Sequence, residues 1–508
     1  MEKKVARVYS GELEGVDAKI IEIEADVNVG LHAFNIVGLA DRSLNEARER
    51  VNSALKNSGV KPPNRENRKI TINLAPADMH KTGSHYDLGI ALSYLLATKQ
   101  IAPFTTRDKL FLGELALDGR LRPVNGALSI AERAAHEGFS FIFLPTQNAN
   151  EAAVIKNIHS IPVETMGDMI AILEKKKSVD EKIYTDRGEE GAEIVDLSEI
   201  HGQENAKRAL AIAAAAGHNM LLIGPPGVGK SMLARAMAGI LPPLSLEEAI
   251  EVTKIWSVAG LVENGLIKLP PFRAPHHTIS GMALIGGGSE PRPGEISLAH
   301  RGILFLDELP EFQRNTLEML RQPIEAGESR VSRVKGHILF PARFTLVAAM
   351  NPCPCGYYGD ASRECTCSAY EIMRYQKRIS GPLLDRIDIQ VKVGRVEMGE
   401  WTMEGGGSQS DGLRAKIKAA KQIQYKRFSE NKTPTKTNAE MNTREIRKFV
   451  RLDKKAESFL GVMVKGSLSP RTYHRILKMA RTIADLESAD IISAEHLAEA
   501  FTYRVKGS

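Results

Sequence analysis

No stretch of this chain reaches the roughly eighteen consecutive apolar residues that a membrane-spanning helix needs. The N-terminal residues, MEKKVARVYSGELEG, carry basic side chains without the apolar core of a secretory signal. Cysteine is almost missing: four residues among 508, Cys353, Cys355, Cys365 and Cys367, all inside one stretch of fifteen. No internal repeat is evident. These absences predict a cytoplasmic protein with no membrane partner and with reduced thiols, which argues against a disulfide framework. A large charge excess is lacking too. Lys and Arg total 68 against 62 Asp and Glu, a net charge of +6, which permits nucleic-acid binding without requiring it.

What is present is ordinary globular composition, 43% apolar and 26% charged, in a chain long enough for about three domains. The texture predicts a multidomain α/β protein. Residues 1–173 mix strand-like runs (KITINLAP, KLFLGEL, FSFIFLP) with helical ones (SLNEARERVNSALKNSG, YDLGIALSYLLATKQ). Residues 174–195 are charged and read as a linker. Over 196–395, short apolar runs (NMLLIG, GILFLDE, FTLVAAMNP, IDIQVKV) alternate with loops and helices, the pattern of a parallel sheet covered on both faces. Residues 396–412, ending in EGGGSQSDG, read as a flexible break, and 413–508 as helices only.

The strongest signal is LLIGPPGVGKSMLARAMAG, which fits G-x-x-x-x-G-K-[ST] after an apolar strand and before an alanine-rich helix. Gly224, Pro225, Pro226, Gly227, Val228 and Gly229 form the loop, whose backbone N–H groups turn inward around phosphates. Lys230 then reaches the β/γ-phosphates, Ser231 ligates Mg²⁺, and Met232 continues the first helical turn. The run GILFLDE ends in Asp307, suited to the Mg²⁺ shell, and Glu308, suited to polarising a water. An apolar run ending in two acids is weak alone. Beside the Lys230 loop it predicts hydrolysis of a nucleoside triphosphate.

The order of loop, acidic strand end, Asn351 closing FTLVAAMN and then GPLLDRIDI resembles an AAA+ ATPase. FRAPHHTISGMALIGGGSEPRPGEISLAHRGILFLDELPEF is similar, more narrowly, to the magnesium-chelatase-like ATPases of the ComM/YifB group, and the similarity runs over essentially the whole chain. That resemblance implies a central AAA+ P-loop domain with a C-terminal helical lid. It implies Asn351 as the sensor that orients the water with Glu308, and Arg386 as an arginine finger reaching a neighbouring subunit's γ-phosphate. Arg471, in SLSPRTYHRIL, would be the lid's sensor arginine. A finger acting between subunits implies a homo-hexamer. INLAPADMHKTGSHYDLGIALSYLLA with FLGELALDGRLRPVNGALSIAERA is similar to the proteolytic domain of Lon-type proteases. Its nucleophile position falls at His85 and its lysine position at Leu128, with Ser84 one place off and Lys81 in the preceding turn. The expectation is a Lon-protease-like α+β domain without protease chemistry, serving as a platform.

ESRVSRVKGHILFPARF alternates around Lys335-Gly336 as a hairpin does. In related hexameric ATPases such loops face the pore, so Arg330, Arg333 and Lys335 are candidates for a ring of phosphate contacts; a solvated hairpin tip explains them equally well. The Gly- and Pro-rich stretch 269–301 adds Arg273, His276, His277, Arg292 and His300. His276 and His277 look like a metal pair, yet on an extended chain adjacent side chains point to opposite faces, which favours a structural or phosphate-adjacent role. The basic run LRAKIKAAKQIQYKRF is either a DNA contact or a solvated amphipathic helix.

The four cysteines form two C-x-C pairs nine residues apart, a spacing compatible with a structural four-cysteine zinc site in reduced surroundings. A redox dithiol or inert thiols are the other readings. The cluster lies between Asn351 and Arg386, where it would stiffen the subunit boundary or present a knob. Three functions follow. The first is an ATP-driven DNA motor on single-stranded and branched DNA in recombination and integration of transforming DNA, with recombination proteins as partners. The second is a chelatase-type motor subunit, and the third an ATPase that remodels a protein client.

Overall fold

A computed structural model describes residues 5–38, 42–65, 67–178, 180–185, 195–263, 265–288, 291–333, 336–360, 362–396, 409–464 and 469–504. The chain divides into two compact units, Met1–Glu189 with Ala249–Ile267, and Glu190–Glu248 with Lys268–Ser508.

The first unit is built on a seven-stranded mixed sheet. Its order is Ala33–Val37, Arg68–Ala75, Asp17–Val29, Ala6–Glu14, Lys109–Phe111, Phe141–Pro145 and His159–Val163. The long Asp17–Val29 strand runs antiparallel to both neighbours, and the last four strands are parallel. All three strand-like runs and both helical runs of the sequence take the expected form, the helices as Arg42–Asn57 and Asp87–Ala97. The second helix is buried nearly all round, as its continuous apolar composition requires.

Ala249–Ile267 falls in this unit, whereas the sequence reading kept it in the central ATPase core. Side chains account for the assignment. Lys254 bonds Glu132 at 2.7 Å and Asp17 at 3.0 Å, and the Ser257 hydroxyl donates to the buried Glu151 carboxylate at 2.6 Å. Burial pushes the Glu151 carboxyl above its ordinary value, with Ser257 and Asn148 acting against it.

The second unit carries a five-stranded, all-parallel sheet in the order Phe272–Arg273, Ile303–Leu306, Thr345–Met350, Met220–Ile223 and Ile389–Lys392. The four expected apolar runs are four of its five strands: Ile303–Leu306, Thr345–Met350 and Met220–Ile223 are the inner ones, buried along almost their whole length, and Ile389–Lys392 is an edge strand with alternate residues buried. Apolar side chains on both faces are what a sheet flanked by helices demands. The edge strand Phe272–Arg273 is too short to have a readable period. Parallel strands bring their C-terminal ends to one rim, so the loops after Leu306, Met350 and Ile223 become neighbours although they are far apart in sequence.

The C-terminal part is helical: Gln409–Glu430, Thr443–Phe449, Lys454–Val464, Pro470–Leu486 and Ala494–Thr502. Residues 409–412, expected to be part of a flexible break, instead begin the first of these helices. Ser410 is buried there and its hydroxyl accepts from Leu197 N at 2.9 Å, a tertiary bond that overrides the local glycine signal. That helix buries Ile417, Ala420, Gln424 and Phe428 along one stripe. Of its basic run, Lys416, Lys418 and Lys426 are exposed, whereas Arg414 donates to Gly239 O at 3.0 Å and Arg427 to the buried Asp485 Oδ2 at 2.8 Å, so only part of the run is a solvated face.

Candidate functional site

The phosphate loop leaves the sheet at Ile223. Gly224 sits where a Cβ would stand 2.2 Å from the Val393 carbonyl oxygen, so no other residue fits. Gly227 and Gly229 take φ of +80° and +84°, which glycine adopts without strain, and Gly229 caps the helix Lys230–Ile240. Lys230 is buried at the start of that helix. Its ammonium donates to Gly224 O at 2.7 Å, Pro225 O at 2.8 Å and Asn351 Oδ1 at 3.0 Å. Desolvation lowers its pKa, with Asp307 and Glu308 pulling the other way.

The remaining expected groups stand around the same space. The Ser231 hydroxyl donates to Asp307 Oδ2 at 2.7 Å, so two oxygen ligands of the kind Mg²⁺ prefers are already together. Glu308 N donates to Asp307 Oδ1 at 2.9 Å, and Glu308 itself takes φ +50°, a left-handed conformation that costs a non-glycine residue. A cavity of about 420 Å³ is lined by Pro226, Gly227, Val228, Gly229, Lys230, Ser231, Met232, Asp307, Glu308, Met350 and Asn351. Backbone N–H groups at a helix N-terminus, a buried cation and exposed acids across an open cavity form a receptacle for a polyphosphate with its metal.

Arg386 and Arg471 lie elsewhere, outside the described wall of that cavity. Arg386 is nearly buried, donating to Arg321 O at 3.1 Å and Pro382 O at 2.6 Å and pairing with Glu325 Oε1 at 2.8 Å. Arg471 pairs with the same Glu325 oxygen. Desolvation pushes the Glu325 carboxyl up, but the two guanidiniums outweigh it and hold it below its ordinary value. The pairing is therefore present above the ordinary carboxylate range and lost as pH falls through that lower value. Nothing in the sequence pointed to Glu325.

His277 stands beside the acids of the site, in keeping with a phosphate-adjacent role. Its Nδ1 stands 3.6 Å from Glu308 Oε2, an ion-pair distance when the ring is protonated. The two histidine rings do not point to opposite faces: their centroids are 4.0 Å apart. The chain has left the strand by then and turns at His277-Thr278, so the alternation of an extended segment no longer applies. Arg273 forms a two-bonded pair with Glu295 at 2.7 and 2.8 Å, and His300 Nδ1 accepts from Arg343 N at 3.0 Å, so both are structural ties. The hairpin forms as expected, Glu328–Arg333 against Gly336–Pro341. Arg330 pairs with Glu328 on its own strand. Lys335 and the Arg333 side chain lie outside the described residues.

The cysteines converge. All four Sγ atoms lie within 4.8 Å of one another, and the thiols are free. In the first unit, Ser84 bonds Glu114, Lys81 donates to Pro76 O and Leu128 is fully buried.

A parallel sheet whose rim joins a phosphate loop to an Asp-Glu pair and a polar Asn is the architecture of a P-loop nucleotide-binding protein, with helices following as in the AAA+ class. The family model of magnesium chelatase subunit ChlI matches residues 196–401, a second ChlI model matches 23–148, and the ChlI C-terminal model matches 407–504. Competence protein ComM of Haemophilus influenzae is 44% identical over 511 residues, 98% of this chain and 97% of that protein. YifB of Salmonella typhimurium is 44% identical over 504 residues with the same coverage. The 38 kDa magnesium-chelatase subunit of Rhodobacter capsulatus is 29% identical over 179 residues, 31% of this chain and 51% of its own. The chain belongs to the ComM/YifB family of magnesium-chelatase-like AAA+ ATPases. Among the described residues no helix is long and apolar enough to cross a membrane.

Proposed function

We propose that this chain is an ATP-driven, hexameric DNA motor that moves or unwinds branched DNA during homologous recombination, including integration of transforming DNA. The observation that carries the DNA reading is the full-length match to a competence protein, 98% of this chain, against 31% for a chelatase subunit. The chelatase-type motor and the protein-remodelling ATPase remain the alternatives.

In this reading Lys230 exchanges the loop carbonyls of Gly224 and Pro225 for the β/γ-phosphates, and the loop's N–H groups hold the rest of the chain of phosphates. Ser231 and Asp307 are the residues that would hold Mg²⁺, whose charge neutralises the phosphoryl oxygens. Glu308 orients and polarises the attacking water, with Asn351 fixing its position from the neighbouring strand. Arg386 reaches the γ-phosphate of an adjacent subunit after leaving Glu325, and Arg471 follows as the lid's sensor. Arg330, Arg333 and Lys335 line a pore and meet DNA backbone phosphates. The first unit is a Lon-protease-like platform without protease chemistry: Ser84 bonds Glu114 and Lys81 bonds the Pro76 carbonyl, so the serine is not hydrogen-bonded to the lysine base that such a protease needs. Cys353, Cys355, Cys365 and Cys367 are the residues that would hold a structural zinc ion, as thiolates.

The test is ATP-dependent disruption of synthetic three- and four-way junctions by the purified full-length protein, with Lys230→Ala and Glu308→Gln as controls. ATPase activity stimulated by unfolded protein and indifferent to DNA would favour remodelling instead.

A further inference from the structure

Between Pro352 and Tyr370 the described residues bury only Cys353 and Gly356. Two small residues are no apolar core, so something other than burial must hold this turn-rich segment in one shape. The thiols are placed to do so. Cys353 Sγ lies 3.4 Å from Cys355 Sγ and 3.7 Å from Cys365 Sγ, and the latter two are 3.6 Å apart. A disulfide needs about 2.05 Å, whereas thiolates about 2.3 Å from a shared zinc stand about 3.8 Å apart. Backbone N–H groups are already aimed at the sulfurs, Tyr358 N at Cys353 Sγ (3.3 Å) and Cys355 N at Cys367 Sγ (3.4 Å). That is the outer-shell pattern of a metal–thiolate site.

One face of this clip rests on the nucleotide site. Gly356 has φ +89°, donates to Cys353 O at 3.0 Å, and is so close to the phosphate loop that a Cβ would stand 2.6 Å from Pro226 Cδ. Pro226 lines the phosphate cavity. At the other end the clip runs through Pro352, whose carbonyl accepts from Gln376 Nε2 at 3.1 Å, directly into Asn351 and its 3.0 Å bond with Lys230.

We propose that the four-cysteine clip, loaded with a soft divalent cation such as zinc, is a brace for the phosphate loop. By seating Gly356 against Pro226 and anchoring the chain after Asn351, it fixes the two sides of the pocket that grip Lys230. Loss of the metal lets both relax, although no cysteine touches the nucleotide. The inference rests on reading the cavity as a nucleotide site and is independent of DNA.

The test uses full-length protein without DNA and three readouts: zinc per chain by atomic emission, affinity for a fluorescent ATP analogue, and the kcat and KM of ATP hydrolysis. Gly356→Ala and Gly359→Ala carry the same left-handed strain, φ +89° and +81°, but only the former meets the phosphate loop; a Cβ on Gly359 meets nothing within 4 Å. We expect about one zinc per chain in the wild type and in both glycine variants. Gly356→Ala should lose about tenfold or more in ATP affinity or kcat, the scale of a misplaced site, while Gly359→Ala stays within about twofold. The double variant Cys365→Ser/Cys367→Ser should lose both the zinc and the same factor; if it fails to fold, the glycine pair decides. Equal behaviour of the two glycine variants, or wild-type protein active without bound metal, overturns the brace while leaving the nucleotide site intact. Wild-type protein that binds no ATP analogue overturns the nucleotide reading, and the brace with it.

Discussion

Two buried lysines, one in each unit, face the same electrostatic problem and solve it differently. Lys230 and Lys81 both have their pKa lowered by desolvation, and both feel a pair of acids that pull it back up, Asp307 and Glu308 in one case, Asp78 and Glu12 in the other. Both spend bonds on carbonyls of their own loops. The difference lies in the acids and the space. Glu12 is buried and saturated by Thr82 N and Thr82 Oγ1, each at 3.1 Å, and by the Tyr86 hydroxyl. Asp307 and Glu308 instead face a cavity lined with glycine backbone. A desolvated lysine beside carboxylates is thus no sign of chemistry by itself. The sign is a cation whose bonds can be exchanged for a ligand's.

The comparison breaks most severely at the first lysine. Lys230→Ala should reduce ATP hydrolysis by about 10²–10³-fold, measured by phosphate release, because the phosphates lose their buried counter-charge. Glu308→Gln should cost about 10²-fold or more in kcat while leaving ATP-analogue affinity nearly unchanged, since it removes proton acceptance and little binding. Glu325→Gln is a smaller test: it frees Arg386 and Arg471 at neutral pH, and basal kcat should change by about two- to fivefold, the scale of a partly exposed ion pair. Lys81→Ala is the counterpart of the first variant. It should lower the thermal midpoint, at a cost of about 1–3 kcal/mol for lost packing and an orphaned carbonyl, while ATP hydrolysis stays within about twofold of wild type. A large ATPase loss in Lys81→Ala would erase the distinction between the two sites.

The contrast also marks what the sequence could disclose. Gly224 to Ser231 is a contiguous strand–loop–helix motif whose chemistry is written locally, and the apolar run before Asp307 identifies its partner strand. The parallel sheet and the pairing of Glu328–Arg333 with Gly336–Pro341 follow from local pattern for the same reason. What stayed hidden depends on residues that meet only in the fold. Glu325 joins Arg471 across 146 positions, and no local pattern ties an acid to two distant arginines. His277 meets Glu308 where the chain turns at His277-Thr278, a turn that a two-residue alternation rule misreads. Ala249–Ile267 joins the first unit through Lys254 and Ser257, ordinary residues whose partners lie in Asp17, Glu132 and Glu151. The cysteine cluster was legible as a cluster, but its contact with Pro226 rests on a glycine that looks like any turn residue.

The central claim is that ATP turnover at Lys230 drives work on DNA, and it is tested most directly by mixing purified full-length protein with a labelled synthetic four-way junction and following its conversion to duplex products with time. The account predicts that conversion requires ATP and Mg²⁺ and disappears in both Lys230→Ala and Glu308→Gln. Junctions left intact by protein that hydrolyses ATP at full rate would contradict it.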